Sequence, residues 1–354
     1  MFVVGIIGAG SISDFHIEPY LNSGQCKIAA IADLNEKLAK EKAAKYGIEK
    51  VYTDYRDLLA DKNIDAVSIV TPTFTHKNIV LEALQSGKHV LCEKPPAISA
   101  AETKECAEMA KKTGNLLMYA FVCRFRSQMK YMKAYVDAGK MGKIVSAEAI
   151  RTHLCDSTAG WFLSKAKSGG GPLKDANIHE IDSILYLMGY PKPKAVMGFT
   201  SNVNSDLPGK VQGRTSGWVS SDLNSYERDV ENVASGYITF ENGAYLFVKT
   251  STVLNVVKEE TYMDIAGEKA GVRMMPLDPG EELRMVELTE NNYLRETKPI
   301  IQDSDMYGDQ VKHFLDCCIN GTECICKPQE AVQLMEIIDA IYESAETGKA
   351  IYFD

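Results

Sequence analysis

The sequence predicts an α/β protein: a parallel sheet covered by helices on both faces, then a second domain of mostly antiparallel strands with helices. Three observations predict it. Short β-branched runs alternate with helix-like stretches as far as residue 120. The glycine-bearing and polar residues fall just after those runs. Beyond residue 124, strand-like runs follow one another with tight turns between them.

The strands of the first part read as 3–7, 27–32, 66–70, 89–92 and 116–120, with helices near 12–23, 36–46, 55–61, 76–86 and 100–113. Gly24, Gly47, Gly87 and Gly114 stand where those helices should stop. Ala-Val-Ser-Ile-Val at 66–70 has the nearly continuous apolar character of a buried parallel strand. After a helix near 127–138 and Gly139-Lys140-Met141-Gly142, a strand over 143–152 opens the second sheet. Strands follow at 195–203, 231–240, 243–251, 260–266 and 271–276, with Glu241-Asn242-Gly243 as a hairpin signal. Helices near 305–319 and 328–347 and a short strand at 351–353 complete the chain. The division expected is 1–122 and 123–354. The polar stretch 204–229, with Trp218 and Tyr226, reads equally as a substrate or interface loop and as an ordinary exposed loop.

The 354 residues suit two domains, each able to bury its own core. With 39 basic against 48 acidic side chains the net charge is −9, which argues against nucleic acid as a partner. No apolar run reaches the roughly 18 residues of a membrane span. The N-terminus reads as a first strand and not as a signal peptide, so a cytoplasmic protein with reduced thiols is expected. Of nine cysteines the densest group is Cys317, Cys318, Cys324 and Cys326. It lacks the Cys-x-x-Cys spacing usual for zinc and reads as buried thiols near a helix end, with no metal expected.

Gly8-Ala9-Gly10-Ser11-Ile12-Ser13 follows the first strand as a dinucleotide fingerprint would, with Ser13 in the place of the third glycine. The first glycine allows the tight turn; the second lets backbone approach a pyrophosphate at a helix N-terminus. Asp33 lies 23 positions after Gly10, where a carboxylate accepts from the ribose hydroxyls, though it also suits a helix N-cap. Leu34 and Asn35 follow with no arginine for a 2′-phosphate, which favours NAD over NADP, with Lys37 the nearest cation.

Thr71-Pro72, Glu93-Lys94-Pro95-Pro96 and Arg124 follow the later strands. Lys94 is placed to stabilise negative charge on a substrate oxygen. Gly169-Gly170-Gly171 leads into an amphipathic helix whose face is Ile178, Ile181, Leu185 and Met188. Asp175, His179 and Asp182 share a neighbouring stripe that is expected to look into a cleft. A histidine there can take a proton from an alcohol near neutral pH. His153, Asp156, Trp161 and Lys165 are candidate substrate contacts.

Together these motifs resemble the family of glucose–fructose oxidoreductase, inositol dehydrogenase and MocA, over essentially the whole chain. The resemblance implies an N-terminal Rossmann domain binding a nicotinamide cofactor. It also implies a C-terminal α/β domain with a large, mostly antiparallel, open sheet that often mediates oligomers, so a homo-oligomer (dimer, tetramer or higher) is expected. It assigns Lys94, Asp175 and His179 to catalysis, with His179 as general acid/base. Gly8, Gly10, Ser11, Ile12, Asp33, Thr71, Pro72, His76, Glu93 and Lys94 are assigned to the cofactor, Glu93 at its nicotinamide end. Lys94, Arg124, His153, Trp161, Asp175 and His179 are assigned to the substrate. Thr73, Asn177 and Cys123 depart from the family's frequent asparagine, glycine and polar amide; Thr73 is expected to alter cofactor contacts, the other two the substrate pocket. The activity implied is NAD-dependent hydride transfer at a secondary alcohol of a sugar, glycoside or inositol-like cyclitol, with C3 of a glycoside among the candidates. An NAD-dependent glycosidase working by transient oxidation, and a non-catalytic nucleotide-binding regulator, are the alternatives.

Overall fold

The computed structural model describes residues 1–154, 159–203, 228–275, 283–291 and 293–354. Asp156 and the loop 204–229 as far as residue 227, including Trp218 and Tyr226, lie outside the described residues.

Six strands, β1 (Phe2–Ile7), β2 (Cys26–Ala32), β3 (Lys50–Tyr52), β4 (Ala66–Ile69), β5 (His89–Cys92) and β6 (Leu117–Tyr119), alternate with α1 (Asp14–Ser23), α2 (Glu36–Tyr46), α3 (Tyr55–Ala60), α4 (Thr73–Gln85) and α5 (Ala100–Thr113). The strands run in the order β3-β2-β1-β4-β5-β6, every pair parallel. The order reverses at β1, the point beyond whose strand ends open sheets of this kind receive ligand. Local chemistry sets the helix limits. Asn35 caps α2 by accepting from the Leu38 amide at 3.2 Å, and Gly47 closes it at φ 69°. Strand β3 is absent from the sequence reading because three residues at a sheet edge leave no periodicity.

The second sheet is built from β7 (Ile144–Thr152), β8 (Pro193–Ser201), β9 (Val233–Phe240), β10 (Tyr245–Ser251), β11 (Glu260–Gly267), β12 (Ala270–Met274), β13 (Arg284–Leu288), β14 (Leu294–Thr297) and β15 (Ile351–Tyr352). Their order is β14-β13-β12-β11-β7-β10-β9-β8-β15, and only the β7–β10 pair is parallel. The helices are α6 (Ser127–Asp137), α7 (Lys165–Ser168), α8 (Pro172–Asp175), α9 (Ile178–Met188), α10 (Met306–Asn320) and α11 (Pro328–Thr347). Along β9, Ala234, Gly236, Ile238 and Phe240 are buried while the residues between them are more exposed, the alternation of a sheet packed on one face. Ile341 of α11 lies on that buried face: a Cβ at Gly198 would meet its carbonyl oxygen at 2.1 Å. Strands β13 and β14 escape the sequence reading because both are short, charged and close to the sheet's edge.

By packing, the chain forms two compact units, Met1–Val122 with Asp305–Met335, and Cys123–Ser304 with Glu336–Asp354. Residues 305–335, placed with the second domain in the sequence reading, group with the first because α10 lies on α1, where the Phe15 and Tyr307 rings approach to 4.7 Å. Among the described residues no helix is long and apolar enough to cross a membrane, and no described cysteine forms a disulfide.

Candidate active site

In the first unit, β1 ends in a turn that only glycine fits. Gly8 has φ 108°, and a Cβ on it would stand 2.5 Å from the Val70 carbonyl oxygen. Gly10 has nothing within 4 Å of where its Cβ would be, so its backbone faces open space at the head of a 3₁₀ turn, Ser11–Ser13, that runs into α1. That is the cradle a pyrophosphate needs. Ser13 is buried and bonds the Gly10 carbonyl through Oγ at 2.7 Å, so it packs where a third glycine would.

Asp33 ties this loop to the next strand end. Its Oδ2 accepts from the Ala9 amide and its Oδ1 from the Asn35 amide, both at 2.7 Å. Asn35, not Asp33, is the cap of α2. Each carboxylate oxygen keeps a second lone pair for a ribose hydroxyl. The residues present therefore fit a dinucleotide. Leu34 is 93% exposed, and Lys37, 85% exposed in its side chain, lies near Glu41 at 3.9 Å.

Two residues assigned to the cofactor turn inward instead. His76 is buried, with Nδ1 2.8 Å from the Pro95 carbonyl oxygen and Nε2 2.8 Å from that of Thr71. Burial, the larger influence, holds its pKa below the ordinary histidine value, against the pull of the two carbonyls. The neutral ring has one N–H, so it donates to one of these carbonyls and packs against the other, between the loop after β4 and the Glu93-Lys94-Pro95 loop. Glu93 is also buried; its Oε1 lies 3.0 Å from His16 Nε2, and its Oε2 accepts from the Lys94 amide at 3.1 Å. His16 Nδ1 meets Ser68 Oγ at 3.2 Å, and Ser68 meets the Tyr20 hydroxyl at 2.9 Å. Sequence reasoning missed His16, whose only signal is its place on the inner face of α1. Lys94 is half-buried and its bond to Pro95 is cis. Thr71 and Pro72 are half-buried at the start of α4; Thr73 is buried there, as its first residue.

In the second unit the glycine run has a packing cause. A Cβ at Gly171 would stand 2.1 Å from the Glu231 carbonyl oxygen. The Glu231 carboxylate accepts from the Gly171 amide at 2.8 Å and the Leu173 amide at 3.3 Å, at the head of α8, and from the Tyr342 hydroxyl at 2.9 Å. The single helix expected after this run is two. Asp175 ends α8 and His179 lies in the first turn of α9, because the Ala176 and Asn177 amides both turn back to the Pro172 carbonyl. Asp175 and His179 are half-buried. His179 Nδ1 lies 3.6 Å from the Cys123 sulfur. Burial, then the Glu180 and Asp182 carboxylates, push that thiol's pKa far above its ordinary value, so it stays protonated. Asn177 is buried and its amide leans toward the Ala149 and Lys249 carbonyls at 3.4 and 3.5 Å, which braces the helix start against the sheet.

Arg124 and Asp182 pair with each other in the interior. Both are 1% exposed, and Arg124 Nε donates to Asp182 Oδ2 at 3.0 Å. The Tyr190 hydroxyl donates to Asp182 at 2.6 Å, and the guanidinium lies 4.6 Å from the Tyr186 ring centroid. Tyr190 stands at φ 51°, a costly conformation for a bulky residue, with its amide on the Leu185 carbonyl at 2.8 Å and its hydroxyl in this pair. Arg124 therefore serves the interior and not the substrate, and Asp182 does not share an open stripe with His179. His153, just past β7, and Trp161, stacked on Phe162 at 3.9 Å, are half-buried; Lys165 is exposed.

Comparison with known proteins decides what this arrangement is. Residues 2–121 match the oxidoreductase family's NAD-binding Rossmann fold, and residues 133–353 match its C-terminal alpha/beta domain. The chain belongs to the Gfo/Idh/MocA oxidoreductase family. A D-glucoside 3-dehydrogenase of Escherichia coli is 30% identical over 98% of this chain and 96% of its own length. A myo-inositol 2-dehydrogenase of Thermotoga maritima is 33% identical over 52% of this chain and 54% of its own. The fold is also that of a levoglucosan dehydrogenase solved with NADH and levoglucosan, at TM-score 0.82, 24% identity and 99% coverage of both chains. Within the Gfo/Idh/MocA family the protein is an NAD-binding oxidoreductase.

Proposed function

We propose that the protein is a dehydrogenase that oxidises a secondary alcohol of a glycoside, sugar or cyclitol, with C3 of a glycoside as the first candidate. The observation that carries this is the half-buried His179 ring in the first turn of α9, with Nδ1 3.6 Å from the Cys123 sulfur, which can accept from an Nδ1 proton. When Nδ1 carries the proton, Nε2 keeps the lone pair a general base needs. The bound nicotinamide supplies the hydride acceptor. His179 takes the hydroxyl proton, Lys94 stabilises the oxygen as charge develops, and Asp175 orients the imidazole or binds a neighbouring hydroxyl. The glucoside dehydrogenase relative supports the glycoside.

The same reading prefers NAD to NADP. Asp33 would repel a 2′-phosphate, and Leu34-Asn35 offers no guanidinium to hold one. The test is the rate of NADH formation with glycosides, free hexoses and inositols, each with NAD and with NADP. Turnover of at least one of these polyols is expected, with kcat/KM higher for NAD. No turnover with any of them, or glycoside cleavage without net NADH, would sink the dehydrogenase reading; equal use of NADP would sink the role of Asp33.

The second sheet supports a homo-oligomer. On its outer face Met197, Phe199 and Tyr237 are 49%, 55% and 45% exposed, and Tyr237 stacks on Tyr245 at 5.2 Å. Met197 and Tyr237 are register partners, so these side chains form one apolar patch. Light scattering is expected to give a multiple of the 39.1 kDa chain mass, reduced in the double variant Phe199→Asp/Tyr237→Asp. A wild type of single-chain mass overturns it.

A further inference from the structure

One cluster of reactive side chains in the first unit has no part in this chemistry. His313 and Cys317 are four apart on α10 and share a helix face. Cys324 comes from the loop joining α10 to α11. The Cys317 sulfur lies 3.4 Å from His313 Nε2, and the ligand atoms of all three residues lie within 4.8 Å of one another. The Cys324 sulfur rests 3.4 Å from the Cys326 carbonyl oxygen.

These spacings suit a shared ion. A tetrahedral zinc ion with bonds of about 2.3 Å to sulfur and about 2.0 Å to nitrogen holds those two atoms about 3.5 Å apart. The 3.4 Å separation of Cys317 and His313 is that distance. The His313 nitrogen is in ligating form: it accepts from the Ile325 amide at 3.1 Å, so Nε2 bears no proton. An ion would take the place of that amide. Cys317 is buried, whereas His313 and Cys324 are half-buried, which leaves the cluster a side open to entry.

We propose that His313, Cys317 and Cys324 form a binding site for a thiophilic metal ion of the zinc class. Two sulfurs and an imidazole are the donors that select zinc over magnesium or calcium. Binding takes both sulfurs as thiolates and His313 neutral, releases the thiol protons to solvent, and leaves a fourth position for water. No electron moves. The ion would tie the loop 321–327 to α10, the helix that packs on α1. Its effect is on the stability of the first unit. Paired Cys-x-x-Cys spacing is absent from the sequence, and a histidine one helical turn before a cysteine supplies the second ligand instead.

The test uses the full chain, reduced and stripped with a chelator, then titrated with Co²⁺ as a spectroscopic stand-in for Zn²⁺. Expected are a sulfur-to-cobalt charge-transfer band and tetrahedral d–d bands saturating at one equivalent, displaced by Zn²⁺. They should be lost in Cys324→Ser and in His313→Ala and retained in Cys318→Ser. Zn²⁺ at about 100 times its Kd should raise Tm by about 5–10 °C. No charge-transfer band in the reduced wild type overturns the proposal, as does a band that survives Cys324→Ser. Should the variants fail to fold, the wild type decides. Zn²⁺ must protect Cys317 and Cys324 from iodoacetamide, located by tandem mass spectrometry, and unprotected alkylation of both overturns the site.

Discussion

The His179→Ala variant is expected to lose about 10²–10⁴-fold in kcat for polyol oxidation, the usual contribution of a positioned general base. The reason is local. His179 is half-buried in the first turn of α9, and its ring is fixed from one side by the Cys123 thiol. Without the imidazole, the hydroxyl proton has only water to receive it as hydride leaves the carbon. NADH binding, followed by fluorescence, should be nearly unchanged, because the residues of the glycine loop and Asp33 belong to the first unit. The wild-type oxidation rate should rise with pH through the range where an imidazole loses its proton, and that limb should vanish in the variant. Lys94→Ala should lower kcat by a comparable factor while keeping the limb, since it removes charge stabilisation and not the base. Wild-type turnover in His179→Ala, or an unaltered pH profile, would remove His179 from catalysis.

The Asp182→Ala variant is expected to cost about 3–5 kcal/mol of stability, the range for breaking a buried ion pair from one side. Arg124 and Asp182 are each 1% exposed, so a guanidinium left without its carboxylate can reach no water without opening the core. Tyr190 loses an acceptor in the same step, and with it a reason to remain at φ 51°. Denaturant unfolding of the second unit measures the loss. The double variant Arg124→Met/Asp182→Leu should recover most of it, since replacing both charges by apolar side chains removes the desolvation cost along with the attraction. A loss below about 1 kcal/mol in Asp182→Ala, accompanied by a raised KM for the polyol, would return Arg124 to the substrate.

Much of the fold is legible in the sequence. The helices expected over 36–46, 100–113 and 328–347 are present with those limits, because each begins after a cap or a proline or ends at a glycine. The helix expected from residue 76 starts at Thr73, one residue after Pro72, which serves as its cap. The strands that escaped, β3, β13 and β14, are short and lie at or near sheet edges, where little burial leaves no apolar run. The stretch carrying Asp175 and His179 reads as one helix in sequence because apolar spacing survives the break; the Pro172 carbonyl, shared by two amides, marks the junction.

The sequence by itself determined the family and the glycine turn that Asp33 closes, and it singled out Lys94, Asp175 and His179 as candidates. Those features are local, since a strand end, a glycine turn and a helix start are written within a few residues. Only the tertiary structure decided what each polar group touches. Arg124 finds Asp182 across 58 positions, and His16 finds Glu93 across 77. His76 is buried between two carbonyls, and His313 meets two cysteines that looked inert. Burial and hydrogen-bond partnership depend on which distant segments pack together, and the cost of an unmet polar group in the interior enforces that pairing.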